Sequence, residues 1–548
     1  MRSAQELLSW MVKNNYRDLL PDCIALISCI LVCALCNTAL PFLFKGVIDQ
    51  ISTEVLFTNA LAYCLLLYTG WYLFNELLEG LRFFLFIRLL QKSQSIVANK
   101  IFRQLHKFPY QFYSDNRVGD ITTTVKEGID ALATLLRLFL LFLTPLVIEL
   151  TSAFVLLALS YSYLNSLVVT ATFLLYIGTH YAGNKFVDQY RKKVRDLSIK
   201  TSGFFADTLL NYTTIKFASR EEEISQRYYI ATQNIKKGVS NINNRNILIA
   251  WAGSLIISMG LLSILFFTAK GLSQDHFTLG DFVIVHIYFI RFVNPLQRSD
   301  LAYRNYKEGK NKLETLGILL SKYPSMKKES VRAFPTIFQP SISFREVSFS
   351  YDNQPVLQKL TFELRPRETL GILGQSGAGK SSIANLILGL ISPQSGSIHI
   401  GNHPIQSLDL VQLRRHIAIV PQDVLLLNDT IMHNITLGAA DVKKRDVQQA
   451  AILAGIHDSI CKMPQGYNSY VGERGSKLSG GERKRIGIAR ALIKQAHICI
   501  FDEPTTFLDA QSAAYVRKTI QKMSTSKTCI VISHDLADLN GADQILTL

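Results

Sequence analysis

The chain has 548 residues, of which 48% are hydrophobic and 18% charged, and its formal net charge is +16 at pH 7. This length exceeds one ordinary domain, and the apolar content is too high for a simple soluble enzyme. Nucleic-acid-binding proteins and membrane proteins with basic cytoplasmic loops share this charge balance, so the positions of Lys and Arg distinguish the two classes.

A basic, amphipathic stretch around Trp10 precedes the first apolar segment and predicts an interfacial helix on the cytoplasmic side. It has no features of an Arg- and Ser-rich transit peptide, which favours a bacterial inner membrane over an organelle. Six apolar segments of bilayer-spanning length follow. They cover residues 22–44, 57–79, 136–159, 163–181, 247–268 and 279–297.

The two long connections between these segments are basic, whereas the short ones carry few Lys or Arg. The basic residues include Arg82, Arg88, Lys92, Lys100, Arg103 and Lys107 in one connection, and Arg191, Lys192, Lys193, Arg195, Lys236 and Lys237 in the other. By the positive-inside rule, both connections and both termini face the cytoplasm. Because the charges flank apolar spans, the sequence predicts an integral membrane protein without a nucleic-acid partner, whose helices continue into the cytoplasm.

A Pro-containing linker separates the membrane-spanning region from a C-terminal region with a different sequence pattern. We expect a membrane domain over residues 1–325, a linker over 326–340 and a nucleotide-binding domain over 341–548. In the last region short β-rich runs, such as 341–349 and 369–373, alternate with helical stretches. This alternation is typical of an α/β domain.

A phosphate-binding loop pattern follows the apolar run that ends at Leu373. Its glycines allow backbone N–H groups and a helix N-terminus to face phosphates, its Lys offers a cation, and its hydroxyl can bind Mg²⁺. The predicted ATP-binding residues of this segment are Gly374, Gln375, Ser376, Gly377, Ala378, Gly379, Lys380, Ser381 and Ser382.

A second hydrophobic run, His497 to Phe501, ends in Asp502 and Glu503. Beside a phosphate loop, such a strand end places one carboxylate near Mg²⁺ and the other near the attacking water. Asp502 is therefore the predicted metal partner and Glu503 the predicted catalytic carboxylate.

The run Leu478-Ser479-Gly480-Gly481-Glu482 resembles the signature motif of the ABC ATPase family, which combines it with the two motifs above in this order. The resemblance implies roles for further residues. Tyr351 would stack on adenine, Gln422 would bind ATP and Mg²⁺ together with Ser381 and Asp502, and His534 would act beside Glu503 in catalysis. Glu482 stands where the family most often has Gln, a common variant that is compatible with activity.

In that family the ATP is held between the phosphate loop of one ATPase domain and the signature motif of another. The resemblance therefore implies that Ser479, Gly480, Gly481, Glu482 and Asp509 complete the site of a partner. Because neither motif is degraded, a homodimer is favoured over an unequal heterodimer. Residues 112–120 resemble the first of the coupling loops through which such exporters connect ATPase and membrane domains, and residues 203–211 are expected to form the second. An ordinary solvated helical loop is the alternative for each segment.

The whole chain thus resembles a half-size ABC exporter, with six membrane-spanning α-helices fused to an α/β phosphate-loop ATPase, driven by ATP and Mg²⁺. An ATP-gated channel or sensor is the alternative. The segment 206–216 is similar to a run in exporters of heavy-metal and glutathione-linked compounds. Multidrug or lipid export and peptide export remain open.

Ionisable residues within spans are costly and usually face a cavity or a partner. Glu149, His286 and Arg291 are therefore candidates for a substrate chamber, while an interhelical pair of Glu149 with Arg291 is the structural alternative. Cys29, Cys33 and Cys36 share one helix face. Soft-metal binding and plain packing both fit that pattern.

Overall fold

The structure is a computed structural model that describes residues 16–53, 59–116, 118–160, 163–274, 276–297, 299–322, 338–351, 354–375, 377–439 and 442–548. The predicted interfacial stretch around Trp10, most of the predicted linker and Ser376 lie outside these ranges. The chain divides into two compact units. The first comprises residues 1–106 and 117–323, and the second comprises residues 107–116 and 324–548.

The described part of the chain before residue 323 is helical. Its helices are α1 (Tyr16–Thr53), α2 (Asn59–Leu105), α3 (Tyr110–Asp115), α4 (Val118–Arg137), a π-helical turn (Leu138–Leu143), α5 (Thr144–Ser160), α6 (Tyr163–Leu210), α7 (Tyr212–Ala218), α8 (Glu221–Leu272), α9 (Leu279–Gln297) and α10 (Ser299–Lys322). Of these, α3 belongs to the second unit, and its Phe112 is fully buried.

Five of the six predicted spans fall within α1, the segment from α4 to α5, α6, α8 and α9. The described part of the remaining span, residues 59–79, falls within α2. Among the residues that the structure describes, three stretches are by themselves long and apolar enough to cross a membrane: Arg17–Ser52, Val118–Ser152 and Glu221–Leu272. Helices α2 and α8 have 47 and 52 residues. Since about 20 residues cross the hydrocarbon core, these helices extend well beyond it, as the sequence predicted.

Helices α6 and α8 approach each other closely at small residues. A Cβ on Gly260 would lie 2.3 Å from the Oγ1 of Thr172, and one on Gly253 would lie 2.6 Å from the Nε2 of His180. Small residues permit such approach between helices in a membrane. The two glycines therefore allow the close approach of α6 and α8 at these positions.

The second unit contains two sheets. Its strands are β1 (Ile342–Tyr351), β2 (Gln354–Leu364), β3 (Thr369–Leu373), β4 (Ser395–Ile400), β5 (His403–Pro404), β6 (Ile417–Val420), β7 (Ile498–Asp502), β8 (Thr528–Ser533) and β9 (Gln544–Thr547). One sheet is antiparallel with the order β2-β1-β4-β5, and the other is parallel with the order β6-β7-β8-β3-β9.

Helices cover the parallel sheet, as expected for an α/β domain. They are α11 (Lys380–Ile387), α12 (Leu410–Arg415), α13 (Ile431–Thr436), α14 (Lys444–Leu453), α15 (His457–Cys461), α16 (Gly480–Ile493) and α17 (Ala510–Ser524). Strands β3, β7 and β8 are adjacent and almost fully buried. Their carboxyl ends therefore bring Gly374, Glu503 and His534 to one edge of the sheet.

A histidine pair in this unit predicts sensitivity to acid. The Nδ1 atoms of His416 and His497 lie 3.1 Å apart. Burial lowers the pKa of His416 below its ordinary value, as do the neighbouring His497 and Lys494. The unfolded chain therefore takes up this proton first as the pH falls through about 6.5, so acidification favours unfolding. Between about pH 7 and 5.5, the melting temperature should fall by about 2 °C less in His416→Gln than in the unchanged protein. An equal fall of the melting temperature with pH in the two proteins would contradict this prediction.

Candidate functional site

The phosphate loop connects β3 to α11. Gly377 and Gly379 have φ values of 88° and 90°, and a Cβ on Gly379 would lie 2.7 Å from the Cγ1 of Val356. Only glycine fits that conformation and that space. The Nζ of Lys380 donates to the carbonyl of Gly374 at 2.6 Å, so the cation lies within the curl of the loop. This is the position from which it can reach a bound phosphate.

Asp502 lies against the first turn of α11. The Oγ of Ser381 donates to the Oδ2 of Asp502 at 2.8 Å. Burial raises the pKa of Asp502, although the bond from Ser381 lowers it. A hydroxyl and a carboxylate in contact form a hard-oxygen donor set of the kind that Mg²⁺ prefers, so these residues fit a magnesium ion.

Glu503 is the centre of the predicted catalytic group. Gln422 donates its Nε2 to the Oε2 of Glu503 at 3.0 Å, and His534 Nδ1 lies 3.5 Å from its Oε1. The Nζ of Lys380 is 3.8 Å from the same Oε1. Residues that are distant in sequence thus converge on one carboxylate. Its backbone φ of 47° is unusual for a non-glycine residue, and such strain is concentrated at functional sites.

A buried network holds the loop that carries His534. Asp538 accepts hydrogen bonds from Ser533 at 2.8 Å and from Thr505 at 2.7 Å, and it pairs with Arg517 at 2.7 Å. Because these bonds tie the loop after β8 to the loop after β7, they fix His534 relative to Glu503.

The signature motif forms the N-terminus of α16. Ser479 Oγ accepts a hydrogen bond from the backbone N–H of Glu482 at 3.2 Å, and Glu482 Oε2 accepts one from the N–H of Ser479 at 2.8 Å. This reciprocal capping box leaves the N–H groups of Gly480 and Gly481 at the positive end of the helix. Glu482 therefore has a local structural role, which Gln could also perform.

Two further predicted residues lie at exposed positions. Asp509 caps α17 by accepting the N–H of Ser512 at 2.9 Å, and the Ser512 side chain lowers its pKa. Tyr351 is 43% exposed at the end of β1 and lies edge-on to Phe349. Its exposed ring is available for stacking.

Lys484 was not predicted from the sequence. It is only 4% exposed, and its Nζ donates to the carbonyls of Gln422 at 2.9 Å, Pro421 at 3.1 Å and Asp502 at 3.2 Å. Burial lowers its pKa to about 8, although Asp502 and Glu503 raise it. The available signal was its helical spacing with Ile488 and Ala491, which places a cation on the apolar face of α16.

In the first unit, four helices meet at Asn37 of α1. Its Nδ2 donates to the Oε1 of Glu149 at 3.1 Å and to the Oε1 of Glu79 at 3.3 Å, and its Oδ1 accepts from Asn75 at 2.8 Å. Arg291 of α9 donates to the backbone carbonyl of Asn37. Glu149 and Arg291 thus both bond Asn37, so two of the three predicted chamber residues meet at one asparagine. No direct hydrogen bond or ion pair between Glu149 and Arg291 is found among the described residues, so the predicted pair is replaced by contacts through Asn37.

This Asn37 cluster (Asn37, Asn75, Glu79, Glu149 and Arg291) is centred on the apolar, span-length stretch Arg17–Ser52 of α1. Near one end of α1, Lys45 pairs with Asp281, and near the other end Asp22 pairs with Lys92 at 2.9 Å. At a rise of 1.5 Å per residue, Asn37 is about 12 Å from Lys45 and about 22 Å from Asp22 along the helix. The cluster therefore lies between two charged layers.

His286 is not in this cluster by any described hydrogen bond. Its Nδ1 is buried and has no hydrogen-bond partner among the residues that the structure describes. Sequence reasoning missed Asn37, Asn75 and Glu79. The spacing of Asn75 and Glu79, four residues apart within an apolar span, could have revealed a polar helix face.

Cys29, Cys33 and Cys36 of α1 are buried, and the Sγ atoms of Cys29 and Cys33 are 4.0 Å apart. Within the described residues, no three His, Cys, Asp or Glu side chains converge as a metal site would require. The geometry therefore favours packing over soft-metal binding for this face.

Known proteins resemble the chain along nearly its whole length. The model of the ABC transporter transmembrane region matches residues 23–296, and the ABC transporter model matches residues 357–506. An ATM1-type heavy metal exporter of Novosphingobium aromaticivorans is 32% identical, covering 93% of this chain and 84% of that protein. The mitochondrial iron-sulfur clusters transporter ABCB7 of Danio rerio is 30% identical, covering 93% and 71%. A solved structure of a bacterial Atm1-family ABC exporter with ATP bound has 30% identity and a TM-score of 0.85, covering 97% of this chain and 94% of that one.

Proposed function

The chain belongs to the ABC transporter family, and from that premise we propose that two copies assemble into a homodimer that exports a metal-linked or glutathione-linked compound. It is an integral membrane protein in which ATP hydrolysis drives export. One chain carries one phosphate loop and one signature motif, both intact. A second copy is therefore sufficient to complete two equal ATP sites.

The chemistry at each site follows from the contacts of Glu503. Lys380 and the loop N–H groups bind the phosphates, and Ser381, Asp502 and Gln422 would hold Mg²⁺, which neutralises charge on the phosphates when bound. Glu503 polarises the attacking water, and the contacts with Gln422 and His534 orient its carboxylate. Tyr351 stacks on the adenine. Ser479, Gly480, Gly481, Glu482 and Asp509 would contribute from the opposite copy.

The Asn37 cluster is the candidate substrate chamber, and His286 of α9 stays a candidate from the sequence alone. Charged groups at hydrocarbon depth usually line a transport path, and here a carboxylate and a guanidinium are both attached to one asparagine. Such a pair suits a cargo that carries charge. The names of the bacterial and zebrafish relatives, a heavy metal exporter and an iron-sulfur clusters transporter, support a metal-linked or thiol-linked cargo.

A bacterial inner membrane is the proposed location. The Novosphingobium relative and the ATP-bound structure are bacterial, whereas the zebrafish relative is mitochondrial. Membrane fractionation of the source cells would test this, and recovery of the protein in an organelle would contradict it.

Cargo and chamber are tested together by ATPase measurements in lipid discs. Glutathione conjugates and metal–thiol complexes should stimulate hydrolysis more than drugs, lipids or peptides. Glu149→Gln and Arg291→Gln should each reduce that stimulation by about 10-fold, because a charge-assisted bond contributes about 1.5 kcal/mol or more.

Glu222→Gln, in the exposed first turn of α8, is the matched control and should keep the full response. Equal stimulation by a drug or lipid would overturn the cargo class. If basal hydrolysis falls as much as the stimulated rate in the Glu149 and Arg291 variants, the chamber assignment is wrong.

A further inference from the structure

Lys484 connects three segments of the ATPase unit. It projects from α16, two residues after the capping residue Glu482, and its ammonium bonds one carbonyl at the end of β7 and two at the start of the loop after β6. An ammonium has three N–H donors, and three carbonyl acceptors lie within 3.2 Å of this one. The group therefore has a full set of partners in the folded protein.

The bonded backbone positions adjoin the catalytic contact. Gln422 accepts from Lys484 through its carbonyl and donates to Glu503 through its side chain, and Asp502 directly precedes Glu503. Lys484 thus fixes the separation of the two backbones whose side chains meet at the Glu503 carboxylate. Without it, three carbonyl acceptors lose their donor, that of Asp502 at a buried position, and the Gln422 loop can move relative to β7.

We propose that Lys484 is a positioning residue for ATP hydrolysis, which links the signature helix to the Gln422–Glu503 contact by its three hydrogen bonds. It makes no described hydrogen bond to the phosphate loop, and it bonds the backbone of Gln422 and Asp502, not their side chains. Its loss should therefore slow the chemical step more than it weakens nucleotide binding. The inference rests on the proposed role of Glu503.

Lys494 provides a matched control just beyond the other end of the same helix. It is also a partly buried lysine, and it donates to a single carbonyl, that of Ile417, at 2.6 Å. Ile417 begins β6, at the opposite end of the strand from Gln422. Loss of Lys494 therefore removes a comparable interaction without releasing the Gln422 loop.

The experiment compares Lys484→Met, Lys484→Gln and Lys494→Met in the full-length protein in lipid discs, with melting temperatures as a check on folding. We expect Lys484→Met to lower kcat by about 10-fold with KM for ATP within about twofold, because positioning alone is lost. Lys484→Gln keeps two N–H donors and should recover at least about a third of the lost activity. Lys494→Met should retain wild-type kcat.

Four results would overturn the inference: an unchanged kcat in Lys484→Met, a KM that rises in step with the loss of kcat, an equal loss in Lys494→Met, or a Lys484→Gln variant no better than Lys484→Met. Glu503→Gln is measured in parallel. If it still hydrolyses ATP, the role of Glu503 fails and the inference fails with it. If it is inactive while Lys484→Met is active, only the inference fails.

Discussion

Replacement of Glu503 by Gln is expected to reduce ATP hydrolysis on the order of 100- to 10,000-fold, the usual contribution of a general base. The amide keeps the size of the side chain and can still meet Gln422 and His534. It cannot accept the proton of the attacking water. ATP binding should persist, since Lys380 and the phosphate loop are unchanged.

Transport provides the second readout for this change. In sealed vesicles, uphill flux of the cargo should disappear in Glu503→Gln, because no hydrolysis resets the cycle. Glu482→Gln is the control with the same chemical change at a capping residue, and it should stay within about twofold of wild type because Gln also fills this position in capping boxes. Hydrolysis that survives in Glu503→Gln, or fails equally in Glu482→Gln, would refute the catalytic assignment.

The geometry around the proposed ATP-binding residues was predictable to the extent that it is local. In the loop from Gly374 to Ser381, the chemistry depends on backbone turns that a short segment encodes, and the structure has the strand, the positive-φ glycines and the helix in that order. The strand ending at Asp502 and Glu503 is equally local. The six membrane spans could likewise be predicted from the sequence, because the thickness of the hydrocarbon core sets the length of each apolar segment.

The remaining features depend on contacts between distant segments. Only the resemblance to a family suggested roles for Gln422 and His534, since these residues follow two different strands, β6 and β8. The bonds of Lys484 to two other segments have no signature in the residues around it. Asn37 is a single polar residue in an apolar span, and nothing nearby indicates that Glu79, Glu149 and Arg291 converge on it from three other helices.

Whether the ATP sites are shared between two copies can be decided by the arrangement of two inactivating changes. Lys380→Ala disables a phosphate loop, and Ser479→Phe blocks a signature motif and removes its cap. In the split dimer, one tagged copy carries Lys380→Ala and the other carries Ser479→Phe. If each ATP site combines the phosphate loop of one copy with the signature motif of the other, both defects fall in the same site and the second site is intact. Hydrolysis should then be about half of wild type if the sites act independently.

The control is a dimer of the same composition with both changes in one copy and none in the other. If the sites are shared between copies, each of the two ATP sites of this control dimer contains one defective motif, so hydrolysis should be nearly absent. If each chain instead built its site from its own two motifs, the outcomes would reverse: the split dimer would be inactive, and the control would keep one working copy. The comparison holds the number and kind of substitutions constant, so the loss of one Ser479 cap or of stability cannot produce the difference. Only the sharing of each ATP site across two chains makes the split dimer the more active one.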